Sequence, residues 1–202
     1  MVAGSGRAFT AGMDLRVLRD LTPQSARELI VGLHRAIEAV HEAPFPVVAM
    51  VHGACLGAGL ELALACDLRV ASEDAHLGLP EVRVGIPSVI EAALLPVLVG
   101  PGRAAELLLT GETICARRAL EWGLLTAVAA PDRLEQATVE LLDRILAGSP
   151  GAIRSQKALI RAWRRTDLAG AIQLGVDAFA AAYETDEPRR AMTAFLERRA
   201  TE

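Results

Sequence analysis

Two glutamates and one glycine-rich bend are the parts of this sequence whose residue types and spacing suit chemistry. Glu61 stands inside an otherwise apolar run, Leu60-Glu-Leu-Ala-Leu-Ala65, and Glu81 follows a proline in Gly78-Leu-Pro-Glu-Val82. A carboxyl group among apolar neighbours loses hydration, which disfavours its charged form and moves its titration toward the range useful for proton transfer. The bend His52-Gly-Ala-Cys-Leu-Gly-Ala-Gly59 leads directly into the run that holds Glu61. Amides at such a turn can point at one oxygen while the helix N-terminus adds a positive partial charge, so the loop could bind an anion or stabilise an oxyanion. Plainer readings stand beside these. A single glutamate can face solvent or cap a turn, and small residues can serve only a tight strand-to-helix connection. The bend lacks the Gly-Lys-Ser/Thr of a phosphate-binding loop and the spacing of a dinucleotide fingerprint.

The elements that must position these residues are legible from periodicity. Thr22-Pro23 reads as an N-cap followed by proline at the first helical position, after which Ala26, Leu29, Ile30, Leu33, Ile37 and Val40 recur at helical spacing. That helix is expected to end near Pro44. Pro46-Val-Val-Ala-Met-Val51 is a short continuous apolar run, the pattern of a strand buried on both faces of a parallel sheet. The bend follows, then a helix over Leu60 to Ala65, a strand over Asp67 to Ala71, and an irregular extended stretch from Leu77 to Val84. Ser88 to Leu109 reads as helical pieces broken by Pro96 and Gly100-Pro101-Gly102. Ala116 to Trp122 reads as a short helix closed by Gly123, and Leu125 to Ala129 as a strand. From Pro131 onward the stretches are mainly helical, punctuated by Pro150-Gly151 and Pro188. An α/β core over residues 1–130 with a helical C-terminal region over 131–202 is the expected organisation.

Composition removes whole classes of function. Of the 202 residues 52% are hydrophobic and 3% aromatic, with a formal net charge of -4. Such a chain can bury enough surface to offset its conformational entropy, which argues against disorder. It also lacks the basic footprint and the stacking rings expected of a nucleic-acid binder. No apolar run reaches the roughly 20 residues of a membrane span. Cys55, Cys66 and Cys115 form neither a disulfide framework nor a CxxC metal pair. His34, His41, His52 and His76 show no metal-ligand spacing, and structural or surface roles are expected of them. No metal or prosthetic group is expected, and a cytoplasmic location is the default.

Several segments, in order, resemble the enoyl-CoA hydratase/isomerase family, also called crotonases. They are Phe9-Thr-Ala-Gly-Met-Asp-Leu15, Pro46 through Asp67, Leu79-Pro-Glu-Val-Arg-Val-Gly-Ile86, Leu109-Thr-Gly-Glu-Thr113, Ala119-Leu-Glu-Trp-Gly-Leu124 and Asp186 through Phe195. The resemblance implies a spiral of ββα units, C-terminal helices that form trimer contacts or cover the active site, and an acyl-CoA thioester as substrate. It implies that the amides of Met13 and Ala58 hold the thioester oxygen. Glu61 then activates water for addition at Cβ and Glu81 supplies the proton at Cα. Met13, Asp14, Leu15 and Arg16 lie along the adenine and pantetheine of coenzyme A, with Arg16 as a phosphate partner. A homo-oligomer, a trimer or a dimer of trimers, is the implied assembly.

The chain departs from that pattern at three places. Ala58 stands where many members have glycine, which keeps the amide but adds a methyl group. Gly85-Ile-Pro-Ser-Val-Ile-Glu-Ala-Ala-Leu-Leu95 replaces a glycine-rich stretch bordering the acyl pocket. The chain also begins where relatives have the end of an interior strand, so a fragment, a displaced start site or a shortened member is expected. The carboxylate pair favours a hydratase. The alternatives are a double-bond isomerase or another reaction of this family, or a shortened chain that binds acyl-CoA with little turnover.

Overall fold

The computed structural model describes residues 1–199. They form two compact units: Met1–Ala43 with Val47–Glu140, and Pro44–Pro46 with the chain from Leu141 onward.

In the first unit, seven short strands make two sheets. β1 (Val2–Ala3), β2 (Val48–Val51), β4 (Leu68–Ser72) and β7 (Ala127–Ala129) form a wholly parallel sheet in the order β1-β2-β4-β7. β3 (Ala54–Leu56), β5 (His76–Gly78) and β6 (Thr113–Cys115) form the other, with β3 parallel to β5 and β5 antiparallel to β6. Each strand pair along the chain, β2-β3 and then β4-β5, gives its first member to one sheet and its second to the other. That alternation is how a ββα repeat winds into a spiral. The fold expected from the resemblance is therefore present. The apolar runs explain why: Val48, Ala49, Val51, Val70 and Ala71 are fully buried, as strands covered on both faces must be.

Helix α1 (Leu15–Arg19) is short. It is followed by α2 (Pro23–His41), which starts as its sequence dictates: Thr22 accepts from the Ser25 amide, the Ser25 hydroxyl accepts from the Thr22 amide, and Pro23 opens the first turn. The helix ends at His41, a little before the expected stop. Three strands depart from the expected reading. β3 lies inside what reads as a plain bend, and β5 lies inside the stretch read as irregular, continuing into a 3-10 helix over Pro80–Val84. β6 was not expected. At three residues each, all three are too short for alternation or an apolar run to register, and their ladders with one another define them. Pro96 does not break a helix. A 3-10 helix over Ile90–Leu94 hands over to α4 (Leu95–Val99), where Pro96 sits in the first turn and needs no amide partner. α5 (Pro101–Thr110) and α6 (Ala116–Glu121) complete the unit.

Helix α3 (Ala58–Ala65) carries Glu61 and is apolar around most of its surface, with Leu60, Ala63, Leu64 and Ala65 at most 1% exposed. Such a helix survives only inside a core, and its end carbonyls then need donors. Arg69, itself buried, supplies two: its guanidinium donates to the carbonyls of Cys66 at 2.7 Å and Ala63 at 3.2 Å, and ties them to the Leu124 carbonyl, between α6 and β7, at 2.6 Å. A cation there also complements the negative end of the helix.

After α7 (Leu134–Leu146), the second unit consists of α8 (Pro150–Trp163), α9 (Leu168–Ala182) and α10 (Glu187–Arg199). Pro150 and Pro188 stand in opening turns rather than at breaks. Lys157 is buried and donates to the carbonyl of Phe45 at 2.9 Å. Among the described residues no helix is long and apolar enough to cross a membrane, and no cluster of three or more metal-ligating side chains occurs.

Replacing Arg69 by methionine orphans the carbonyls of Cys66 and Leu124, while that of Ala63 keeps the Cys66 amide, at about 1–3 kcal/mol for each group left unpaired. We predict that Arg69→Met lowers unfolding stability by about 3 kcal/mol or more in urea denaturation. A midpoint within error of the parent would contradict the anchoring role.

Candidate active site

Glu61, Glu81 and Met13 line one cavity of about 610 Å³ in the first unit, together with Leu21, Ala26 and Ile86. The wall is largely apolar, which suits an acyl chain better than a polar ligand.

Glu61 projects from α3 and is 3% exposed. Its Oε1 accepts the Ala92 amide at 3.2 Å. Burial, opposed by the amides of Ala92 and Val89 and reinforced by the charges of Glu81 and Glu91, pushes its carboxyl up to about 8. At neutral pH this carboxyl therefore holds its proton in the unliganded protein. Glu81 sits in the 3-10 helix that follows β5, and its Oε2 accepts the Ser88 hydroxyl at 2.7 Å. The other oxygen, Oε1, lies against the glycine bend: a Cβ on Gly57 would fall 2.5 Å from it. Gly57 also has φ of 55°, in the left-handed region that a side chain strains. Any substitution there disturbs both the turn into α3 and the seat of Glu81.

The two amides singled out from the resemblance are free to act as donors. Ala58 is the first residue of α3, where an N–H has no partner within the helix. The amide of Met13 donates to no acceptor among the described residues. Their segments run side by side: the Phe9–Thr10 backbone bonds to His52, Ala54 and Leu56, and a Cβ built on Gly12 would lie 2.9 Å from the Leu56 carbonyl and 3.6 Å from the Ala58 nitrogen. Glycine at position 12, with φ of 90°, is what permits that approach.

Asp14, Leu15 and Arg16 are not on the cavity wall. Asp14 caps α1, accepting the Arg16 amide at 2.9 Å, and its carboxylate holds the Arg16 guanidinium by contacts of 2.7–3.1 Å. That pairing holds the Asp14 carboxyl below its ordinary range. Both side chains are exposed, so an anion reaching Arg16 would compete with Asp14 in water, where such pairs are weak.

Three side chains near the carboxylates escaped the sequence reading. Ser88 and Glu91 belong to the segment that departs from the family pattern, and nothing in their local spacing marks them. His34, read as structural or surface, lies one helix away from Glu91 yet places Nδ1 at 2.7 Å from Glu91 Oε1. Only the packing of α2 on the Ile90–Leu94 turn makes that meeting.

Comparison with known proteins gives the family. The sequence pattern of the family described as Enoyl-CoA hydratase/isomerase matches residues 1–202. A crotonyl-CoA hydratase of Syntrophomonas wolfei is 39% identical over 204 residues, spanning 98% of this chain and 77% of that protein. A short-chain-enoyl-CoA hydratase of Clostridium acetobutylicum is 32% identical, spanning 100% of this chain and 78% of its own. Among solved structures, an enoyl-CoA hydratase of Mycobacterium smegmatis superposes with a TM-score of 0.92 at 31% identity, covering 96% of this chain and 76% of that one. This chain is a member of the enoyl-CoA hydratase/isomerase family.

Proposed function

We propose that this chain adds water across the double bond of a 2-enoyl-CoA thioester, giving the 3-hydroxyacyl-CoA, with Glu61 and Glu81 as its acid-base pair. The observation that carries the reading is the convergence of two carboxyl groups from different elements, Glu61 on α3 and Glu81 on a 3-10 helix, on one apolar cavity. Named relatives that hydrate enoyl-CoA thioesters support it.

The chemistry requires one proton shared by the pair. Water gives its hydroxyl to Cβ and leaves a proton on Glu61, while Glu81 gives a proton to Cα, so the pair starts and ends with one proton between them. The high titration of buried Glu61 fits this count, because it keeps the pair from losing its last proton at neutral pH. Hydration starts with the shared proton on Glu81 and ends with it on Glu61, and the reverse dehydration runs the other way. Charge building on the thioester oxygen is met by the amides of Met13 and Ala58, donors fixed before the reaction starts. Asp14, Leu15 and Arg16 are proposed to run beside the coenzyme A moiety, and no prosthetic group is required.

An isomerase needs only one carboxyl to move a proton between carbons, so the second, buried glutamate favours hydration. We also propose a homo-oligomer, a trimer or a dimer of trimers. In its support, α9 exposes Leu168, Ile172, Val176, Phe179 and, just past its end, Tyr183 along one stripe, an apolar face that covering by further protein would stabilise. A cytoplasmic location is consistent with these assignments.

Three outcomes are expected. Glu81→Gln lowers turnover of crotonyl-CoA by at least about a hundredfold, measured as loss of the conjugated enoyl thioester absorbance; a folded variant with parental turnover contradicts the assignment. The raised Glu61 carboxyl means that folding keeps a proton the unfolded chain would release. Its destabilising effect is absent below about pH 4.5, grows as pH rises toward about 8 and is complete above that. Relative to Glu61→Gln, the parent should thus lose up to about 1.4 kcal/mol per pH unit across that window. Equal pH dependence of the two unfolding curves would contradict the burial argument. Phe179→Glu should shift the mass in sedimentation analysis toward the monomer, and an unchanged mass argues against α9 as an interface.

A further inference from the structure

A third carboxylate lies behind the proposed acid-base pair. Glu91 is 8% exposed, its Oε1 sits 2.7 Å from His34 Nδ1, and its Oε2 has no hydrogen-bond partner. His34 in turn places Nε2 at 3.8 Å from Glu38, one turn further along α2. On either side of Glu91 the backbone is unusual. Ile90 has φ of 41°, the one positive φ outside glycine among the described residues, in a β-branched residue for which that region is strongly disfavoured. Ala92 shares its amide between the Val89 carbonyl at 2.9 Å and Glu61 Oε1 at 3.2 Å. A strained turn of this kind persists only when its surroundings hold it, and the contact from α2 to Glu91 is a polar clamp on it beside the bond of the Ala92 amide to Glu61.

We propose that His34 and Glu91 form a positioning pair for Glu61, clamping the strained turn that aims the Ala92 amide at its carboxyl and setting the Glu91 carboxyl group behind it. This deepens the reading of Glu61 as an acid-base residue and rests on it. Glu91 itself touches no reacting atom. It acts through Glu61 in two opposed ways: the clamped amide favours the ionised carboxylate, whereas the nearby negative charge favours the protonated acid.

The charged and titratable groups that face Glu61 are few. Glu81 comes from the Pro80–Val84 helix and Glu91 from Ile90–Leu94. On α2, His34 meets Glu91 with one ring nitrogen and faces Glu38 with the other, and Arg27 stands on the wall of the same cavity. β3, packed on α3, carries Cys55, whose thiol burial pushes up to about 12 and which donates to the Gly59 carbonyl rather than meeting Glu61.

The two halves of the pair give opposite signs when removed. Glu91→Gln keeps an acceptor for His34 but deletes the charge, so Glu61 should titrate about one pH unit lower. His34→Ala deletes the clamp and leaves the charge, so Glu61 should titrate higher and kcat should fall several-fold with KM for crotonyl-CoA unchanged. The measurement is an infrared titration of the protonated carboxyl stretch in the intact protein, the Glu61 band being the one lost in Glu61→Gln. Opposite shifts in the two variants support the pair. A Glu61 midpoint that stays put in either folded variant, or moves the same way in both, overturns it. Should Glu91→Gln fail to fold, His34→Ala, at a half-exposed position, decides alone by the direction of its shift. Because the infrared readout needs no turnover, inactivity of the parent toward crotonyl-CoA would count against the hydratase reading without touching this one.

Discussion

The structure turns on the burial of one carboxyl group. Placing Glu61 on a helix whose other side chains are core residues costs hydration that no surface glutamate gives up. Everything around it limits that cost or exploits it. Arg69 neutralises the far end of the helix, the Ala92 amide meets Oε1, and the remaining penalty is expressed as a proton retained at neutral pH. One proton kept within the Glu61 and Glu81 pair is what the proposed hydration of a thioester requires.

The glycine bend carries the second constraint. Three parts of the chain that are distant in sequence, the segment around Gly12, the bend at Gly57 and the helix bearing Glu81, approach so closely that a single added Cβ at Gly57 or Gly12 would strike its neighbour. Close approach of backbone also sets the segment before Met13 beside the Ala58 amide. The proposed oxyanion site would use that same close approach, and the methyl group of Ala58 leaves its backbone amide in place.

Much of this was legible in the residues themselves. The helix after Thr22-Pro23, the buried strand before the bend and the paired glutamates all stand out, because capping, apolar runs and a charge among apolar neighbours are local signals. The resemblance supplied the order in which they assemble. What escaped was non-local. β3, β5 and β6 exist through pairing among three-residue segments, and the contact of His34 with Glu91 depends on the packing of α2 against a turn 57 residues away in sequence. The segment from Gly85 to Leu95 departs from the family pattern, and its strained Ile90 could be seen only once its backbone was placed.

The most direct test of the central claim is the fate of solvent oxygen. Crotonyl-CoA incubated with the folded protein in heavy-oxygen water should yield a 3-hydroxyacyl thioester carrying one heavy oxygen in its hydroxyl group, as addition of a water held by Glu61 and Glu81 requires. Recovery of a rearranged enoyl thioester with no heavy oxygen, or of unchanged substrate, would contradict it.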